Sequence, residues 1–274
     1  MEKLLVSIQK AVSQMDVKEL PFSVYSSVHE QMLLNVPISK PLLIVVINGN
    51  KQLGENASIA CPSDHFIFLS DSPAINMRNI PKGNSYFALL IEFDYQDFND
   101  LPSNVAAASE VKPDYFVAKT NAVLKQCLQQ FVECSLWAPK ALQSSRKREI
   151  LSLLYSLGHR QIITMMGKPK VSHRLHELFR DKHFNDLSIA TICEHLAMSE
   201  STLRRKLNAE GTSVQEVKDR ARLGLGLHLL QTSDEPIGLI AEKCGYHSPS
   251  RFTDRFKSHF GLTPSELRKT RMTE

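Results

Sequence analysis

The chain has 274 residues, enough for two units with separate cores, and its 42% hydrophobic content is ordinary for a globular protein. No apolar run approaches the roughly 20 residues a membrane helix needs, and the N-terminus lacks the long apolar core and cleavage site of a signal peptide, so a cytoplasmic protein is expected. The net charge of +4 is too small to identify a nucleic-acid partner by itself, and the 17 Lys and Arg against 14 Asp and Glu from Lys170 onward change that little.

Met1 to Leu20 reads as a short amphipathic helix. Residues 20 to 98 read as β structure, with apolar runs at Leu42–Ile47, Phe66–Leu69 and Tyr86–Phe93. Turn residues separate them at Asn48-Gly49-Asn50, Pro62-Ser63-Asp64, Ser72-Pro73 and Pro81 to Asn84. Short strands punctuated this way predict a small barrel or sandwich. Both alternating faces of Tyr86–Phe93 are apolar, which predicts cover on both sides. Residues 99 to 117 read as a loop. Two helices are predicted next, over Asn121–Cys134 and Arg146–Met166, each with one apolar face. Gly167-Lys168-Pro169 breaks the pattern and marks a boundary between residues 1–166 and 167–274.

Five cysteines, Cys61, Cys127, Cys134, Cys193 and Cys244, are scattered with no CxxC. That argues against a disulfide framework or a structural zinc site, and for thiols that pack as small hydrophobes. A redox role for Cys127 and Cys134, seven apart on one predicted helix face, is the sharper alternative. His29 and His65 are too far apart in sequence to suggest a metal barrel. His173, His176, Glu177 and His183 lack the His-Glu-x-x-His order of a zinc protease and read as a solvated helix face. No nucleotide-binding glycine loop or serine-nucleophile motif occurs, so neither an enzyme nor a cofactor is expected.

The last third carries one pattern twice, at Leu187–Gly211 and Pro236–Gly261. Each copy is a short apolar helix, a tight turn and a second helix. Ile189, Ile192 and Leu196 face inward in the first copy, then Ala197-Met198-Ser199 turns. Cys244 to His247 turns in the second. Ser199 and Ser248 are suited to cap the helices that follow, and Pro249 suits a first helical position. Leu203 and Leu207, and likewise Phe252 and Phe256, form buried stripes. The opposite stripes present Ser201, Thr202, Arg204, Arg205 and Lys206, and then Ser250, Arg251, Thr253, Arg255 and Lys257. Arginine can read guanine with two donors, while serine and threonine bond bases or phosphates. Together with Ser199 and Ser248 these are the candidate DNA-contacting residues. Ser213–Gln231 would connect the copies as one helix, with Val214, Val217, Ala221, Leu225 and Leu229 on a face. Gly224 and Gly226 each cost that helix roughly 1 kcal/mol against alanine.

Ile240-Ala241-Glu242-Lys243-Cys244-Gly245-Tyr246, then Ser248, Phe252, Phe256 and Gly261 to Glu266, resemble the C-terminal signature of AraC/XylS bacterial transcription regulators. Met198-Ser199 through Gly211-Thr212-Ser213 is similar to the family's first motif. The N-terminal half resembles, more loosely, its cupin-like effector and dimerisation domain, through Pro41–Asp94 with Gly49, the Asp71-Ser72-Pro73 turn and Arg148 to Leu151. The resemblance implies an α+β protein: an N-terminal cupin-like β-barrel with following helices, then an all-α domain with two helix-turn-helix motifs on a linker helix. It implies a sequence-specific, ligand-responsive activator acting on double-stranded promoter DNA and on RNA polymerase. A homodimer and a small-molecule effector in the barrel are its further implied partners. The alternative is a regulator whose N-terminal domain binds a partner protein. By matching positions, Ser201, Arg204 and Arg205 should reach bases from the first helix, and Pro249, Ser250, Arg251 and Arg255 occupy the edge of the second. Three departures stand out: Asp254 lies where the family favours a basic residue, Pro249 offers no side-chain hydrogen bond, and Ala197 replaces a frequent turn glycine. The first helix is therefore expected to carry more of the base-specific contact.

Overall fold

A computed structural model describes residues 1–16, 19–55, 58–70, 74–102, 114–165, 170–181 and 187–271. The boundary expected at 167–169, the Asp71-Ser72-Pro73 turn and His183 lie outside the described residues.

Helix α1 (Glu2–Gln14), the amphipathic helix expected at the N-terminus, buries Leu4, Ile8 and Ala11 at i, i+4, i+7 spacing. Among the described residues, nine antiparallel strands follow in two sheets. One sheet runs in the order β1 (Ser23–Ser27), β8 (Tyr86–Glu92), β3 (Leu42–Asn48), β6 (His65–Leu69), β9 (Tyr115–Lys119). The other runs β2 (Gln31–Val36), β7 (Ile75–Ile80), β4 (Asn50–Leu53), β5 (Ile59–Pro62). The expected barrel is thus open: two sheets are paired within themselves and face one another across a shared core.

Alternation along β3 and β8 feeds two cores at once. Leu42, Ile44 and Val46 with Tyr86, Ala88 and Leu90 face the second sheet. Leu43, Val45 and Ile47 with Leu89 and Ile91 face α1, α2 (Ala122–Cys134) and α3 (Gln143–Ser156). The continuous apolar runs follow from this, because a strand covered on both faces cannot alternate with polar residues. Asn121 caps α2 by accepting the Leu124 backbone N–H at 2.8 Å.

Two further expectations are corrected. The single helix read over Arg146–Met166 is broken into α3 and α4 (Gln161–Met165), because Gly158 takes a left-handed φ of +95° that ends the first. The loop read over 99–117 gives up its last residues to β9, where Phe116 stacks on Phe68 and on the His159 ring.

From Val171 on, the described chain is helical: α5 (Val171–Asp181), α6 (Ile189–Leu196), α7 (Glu200–Ala209), α8 (Val214–Thr232), α9 (Ile237–Lys243), α10 (Pro249–Phe260) and α11 (Pro264–Lys269). Helices α5 to α7 enclose a small core with Leu175, Phe179, Ile192, Leu203 and Leu207. Helix α8 is shared. Val217 and Ala221 join that core, whereas Leu223, Leu227 and Leu230 join Ile240, Phe252, Phe256 and Phe260 in the other. Burial on several sides explains why its expected single face is incomplete.

Candidate nucleic-acid interface

Each recognition-type helix is built by a turn, a cap and a buried stripe. In the first copy Ala197 ends α6 in the left-handed region at φ 53°, ψ 51°. Ser199 then caps α7, accepting the Thr202 N–H at 3.3 Å and donating to the Thr202 hydroxyl at 2.9 Å. In the second copy Gly245 takes the corresponding left-handed turn at φ +77°. Ser248 caps α10 by accepting the Arg251 N–H, and Pro249 occupies the first turn. The positive backbone conformation costs an alanine roughly 1–2 kcal/mol and a glycine almost nothing, so the first turn is the more strained of the two.

Leu203 and Leu207 are buried under α7, and Phe252, Phe256 and Phe260 under α10. That orientation leaves Ser201, Arg204, Arg205 and Lys206 exposed, with Thr202 half-buried. On α10 it exposes Ser250, Arg251, Arg255 and Lys257, with Thr253 half-buried. Every predicted contact residue therefore lies on a solvent-facing stripe or in a cap. Two of them, Ser199 and Ser248, are engaged in capping. Arg204 is held by Glu200 one turn earlier, at 2.8 Å from Nε and 2.6 Å from the guanidinium terminus. Arg205, Lys206, Arg251, Arg255 and Lys257 form no ion pair with any described residue. Asp254 is exposed among them.

Behind these faces the helical unit is docked on the sandwich, through residues that no local pattern singled out. The Thr270 carbonyl accepts the Val28 N–H at 2.8 Å. A buried polar chain links the sandwich interior to the last helices. The Lys51 ammonium donates to Asn79 Oδ1 at 2.7 Å, and Asn79 Nδ2 donates to Gln31 Oε1 at 2.9 Å. Gln231 Nε2 of α8 donates to the same oxygen at 3.2 Å, and Gln31 Nε2 donates to the Thr270 hydroxyl at 2.7 Å. Burial pulls the Lys51 ammonium down to about 8. On the side of the first motif, Lys40 bridges Asp94 at 2.8 Å and Glu177 of α5 at 3.1 Å. Despite its own burial, Glu177 is held down to about 2 by His176, Lys40 and Arg180. His173 Nδ1 meets the Ser39 carbonyl at 2.6 Å, and its ring packs edge-on to Tyr95. The only hint in the sequence was polar residues such as Lys51 and Gln31 inside otherwise strand-like segments.

The described cysteines are all free, and Cys61, Cys127, Cys134 and Cys244 are buried. Burial raises the Cys127 thiol to about 11 and the Cys244 thiol to about 12, which suits packing. No helix among the described residues is long and apolar enough to cross a membrane.

Residues 192–270 match the helix-turn-helix domain family. Over 129 residues the chain is 31% identical to the HTH-type transcriptional regulator GadX of Escherichia coli O6:H1, covering 45% of this chain and 47% of that protein. Over 138 residues it is 31% identical to the HTH-type transcriptional activator RhaS of Escherichia fergusonii, covering 49% and 50%. The chain thus spans about half the length of the regulators it matches in sequence. The whole fold is similar to ToxT of Vibrio cholerae: 92% of this chain superposes on 97% of an apo variant with a TM-score of 0.65 at 16% identity. The unsaturated fatty acid-bound wild-type ToxT matches with a TM-score of 0.63, covering 92% of this chain and 95% of that one at 16% identity.

Proposed function

We propose that this chain, whose C-terminal part is a double helix-turn-helix domain of the AraC/XylS type, is a sequence-specific DNA-binding transcription regulator. Residues 167–274 bind DNA, and residues 1–166 receive an effector and supply a dimer contact. The observation that carries this reading is the pair of capped helices with exposed basic stripes, each following the same left-handed turn. Arg205 on α7 and Arg251 on α10 are the best-placed readers, because both are exposed and neither is held in an ion pair with a described residue. Arg204 joins them once its pair with Glu200 opens. Lys206, Arg255 and Lys257 supply phosphate contacts, with Ser201, Thr202, Ser250 and Thr253 as short hydrogen-bonding partners. Ser199 and Ser248 act through the helices they cap.

The protein acts in the cytoplasm as an activator and engages RNA polymerase at the promoter. A small molecule, rather than a partner protein, is favoured as the signal, since ToxT shares the fold and has been seen with an unsaturated fatty acid bound. No catalytic role is assigned. Footprinting on the DNA upstream of its own gene tests the reading. Salt-sensitive protection of two patches about 34–36 Å apart on one face of the duplex is expected. Equal affinity for that DNA and for random DNA would reject it.

A further inference from the structure

The second helix carries its charges in a different order from the first, and the buried stripes show where each charge points. A helix turns about 100° per residue, so Leu203 and Leu207 fix the buried side of α7, and Phe252, Phe256 and Phe260 that of α10. Opposite the buried side of α7, within about 40°, stand Ser201 and Arg205. On α10 the same crest is held by Asp254 and Ser258, about 20° from its centre, and by Arg251 at about 40°. Arg255 and Lys257 lie about 80° to either side. All of these residues are exposed.

Aligned on the buried stripes, Leu203 with Phe252 and Leu207 with Phe256, the two copies set Arg205 against Asp254. The slot from which the first helix presents its best-placed guanidinium therefore presents a carboxylate in the second. That carboxylate is open. Glu200 precedes Arg204 by four residues, the favourable order along a helix, and pairs with its Nε at 2.8 Å. Asp254 follows Arg251 by three, the unfavourable order, and forms no ion pair with any described residue.

Crest and flanks meet different parts of a duplex. A helix lying in the major groove brings its flanks to the phosphate strands and its crest to the base edges. Arg255 and Lys257 are thus placed for phosphates, one on each side of Asp254. Its neighbours along the crest, Ser250 four residues before and Ser258 four after, are short and exposed, so the helix can approach the groove floor closely. An ionised carboxylate there only accepts hydrogen bonds. Guanine shows it N7 and O6 and thymine O4, all acceptors, whereas cytosine shows it the N4 amine, a donor. Adenine offers its N6 amine beside the N7 acceptor and falls between.

We propose that Asp254 is a specificity-determining residue of the second helix and selects cytosine, accepting a hydrogen bond from the N4 amine. It discriminates by repulsion as well as attraction, because a wrong base leaves a desolvated carboxylate facing an acceptor. The second helix is then a reader and not only an anchor. Its acid prefers cytosine where the corresponding arginine of the first helix prefers guanine. The assignment rests on the reading of the chain as a sequence-specific DNA-binding regulator.

Selection of bound sites from a pool of random-sequence duplexes tests it, run in parallel with full-length wild type, Asp254→Asn and Asp254→Ala at one salt concentration. The wild type should enrich cytosine at one position in one of two patches. Asp254→Asn should enrich adenine there, because a side-chain amide pairs with N6 and N7 together. Asp254→Ala should show no preference there. Its discrimination between the cytosine site and the same site carrying guanine should fall by about five- to tenfold, the low end of what one base contact supplies. Preferences at all other positions should persist in every protein. Asp254 is exposed, so both substitutions leave the core untouched. An identical base profile in the wild type and both variants, or an affinity gain in Asp254→Ala that is equal for every base, would overturn the proposal and leave Asp254 as a repulsive charge only. Enrichment of no sequence by the wild type would reject the DNA-reading function itself, and the proposal with it. An unchanged profile on a specific site rejects the proposal alone, so the two failures are told apart.

Discussion

Two glycines on α8, separated by a single leucine, should respond in opposite directions to the same substitution. Gly224 and Gly226 both sit inside the helix, where alanine gains roughly 0.8–1 kcal/mol from propensity alone. Around Gly224 there is room: an added methyl meets only Pro37 Cγ, at 3.4 Å. Around Gly226 there is none, since it would lie 2.8 Å from Phe252 Cε2, 2.9 Å from Cζ and 3.4 Å from Cys244 Sγ. Phe252 is fully buried and wedged between Tyr246 and Phe256, at centroid distances of 5.4 and 5.6 Å, so its ring cannot step aside alone. Overpacking of this kind costs about 1–3 kcal/mol. The propensity gain cancels between the two variants, so Gly224→Ala should exceed Gly226→Ala in stability by about 1–3 kcal/mol. Urea unfolding of the full-length variants measures this directly. Because Phe252 is the buried face of α10, Gly226→Ala should also displace that helix and weaken binding to a two-patch DNA site. A Gly226→Ala protein as stable as Gly224→Ala would refute the packing argument.

Three further outcomes follow from the interface and the seam. Arg205→Ala should cost about 1–3 kcal/mol at one or two base positions and little elsewhere, measured as affinity across a library of single-base variants. A uniform loss would reassign it to phosphate. Ser199→Ala should destabilise the first motif by about 1 kcal/mol through its lost cap. Its DNA affinity should fall evenly over all sequences, and a changed base preference would show that the hydroxyl reads a base instead. Docking of the helical unit should weaken in acid. Burial lowers the imidazoles of His173, His228 and His259, all at the seam. His173 is surrounded by Ser39, Tyr95, Lys40, Glu177 and His176. His228 faces Tyr25, Glu92 and Arg180, and His259 faces Asn35, Arg220 and Asp219. A depressed imidazole favours the neutral, docked state. The undocked form takes up protons first, so docking is complete above about pH 6.5 and is lost progressively below it. Hydrogen-exchange protection of the Val28 amide, bonded to the Thr270 carbonyl, reports this, and a protection factor constant from pH 7.5 to 5.5 would rule it out.

Much of the molecule was written locally. The caps at Ser199 and Ser248, the buried stripes under α7 and α10 and the exposed arginines each depend on residues within a turn or two, so spacing alone placed them. The doubly covered strand at Tyr86 was legible for the same reason, because continuous apolar sequence leaves no face for water. What short-range pattern missed was set by distant partners. Strand β9 exists because Phe116 finds Phe68, 48 residues earlier in the chain. The break after α3 needed the backbone conformation of Gly158, which a helical apolar spacing running past it concealed.

By itself, then, the sequence determined the two candidate recognition helices, their caps and which side of each faces water, since periodicity and capping act over a few residues. Only the tertiary structure decided how those helices are held. The Lys51–Asn79–Gln31–Thr270 chain and the Lys40–Glu177 bridge join residues more than a hundred positions apart in the sequence. Contacts at that separation leave no period to read, because they arise only when two independently patterned surfaces meet.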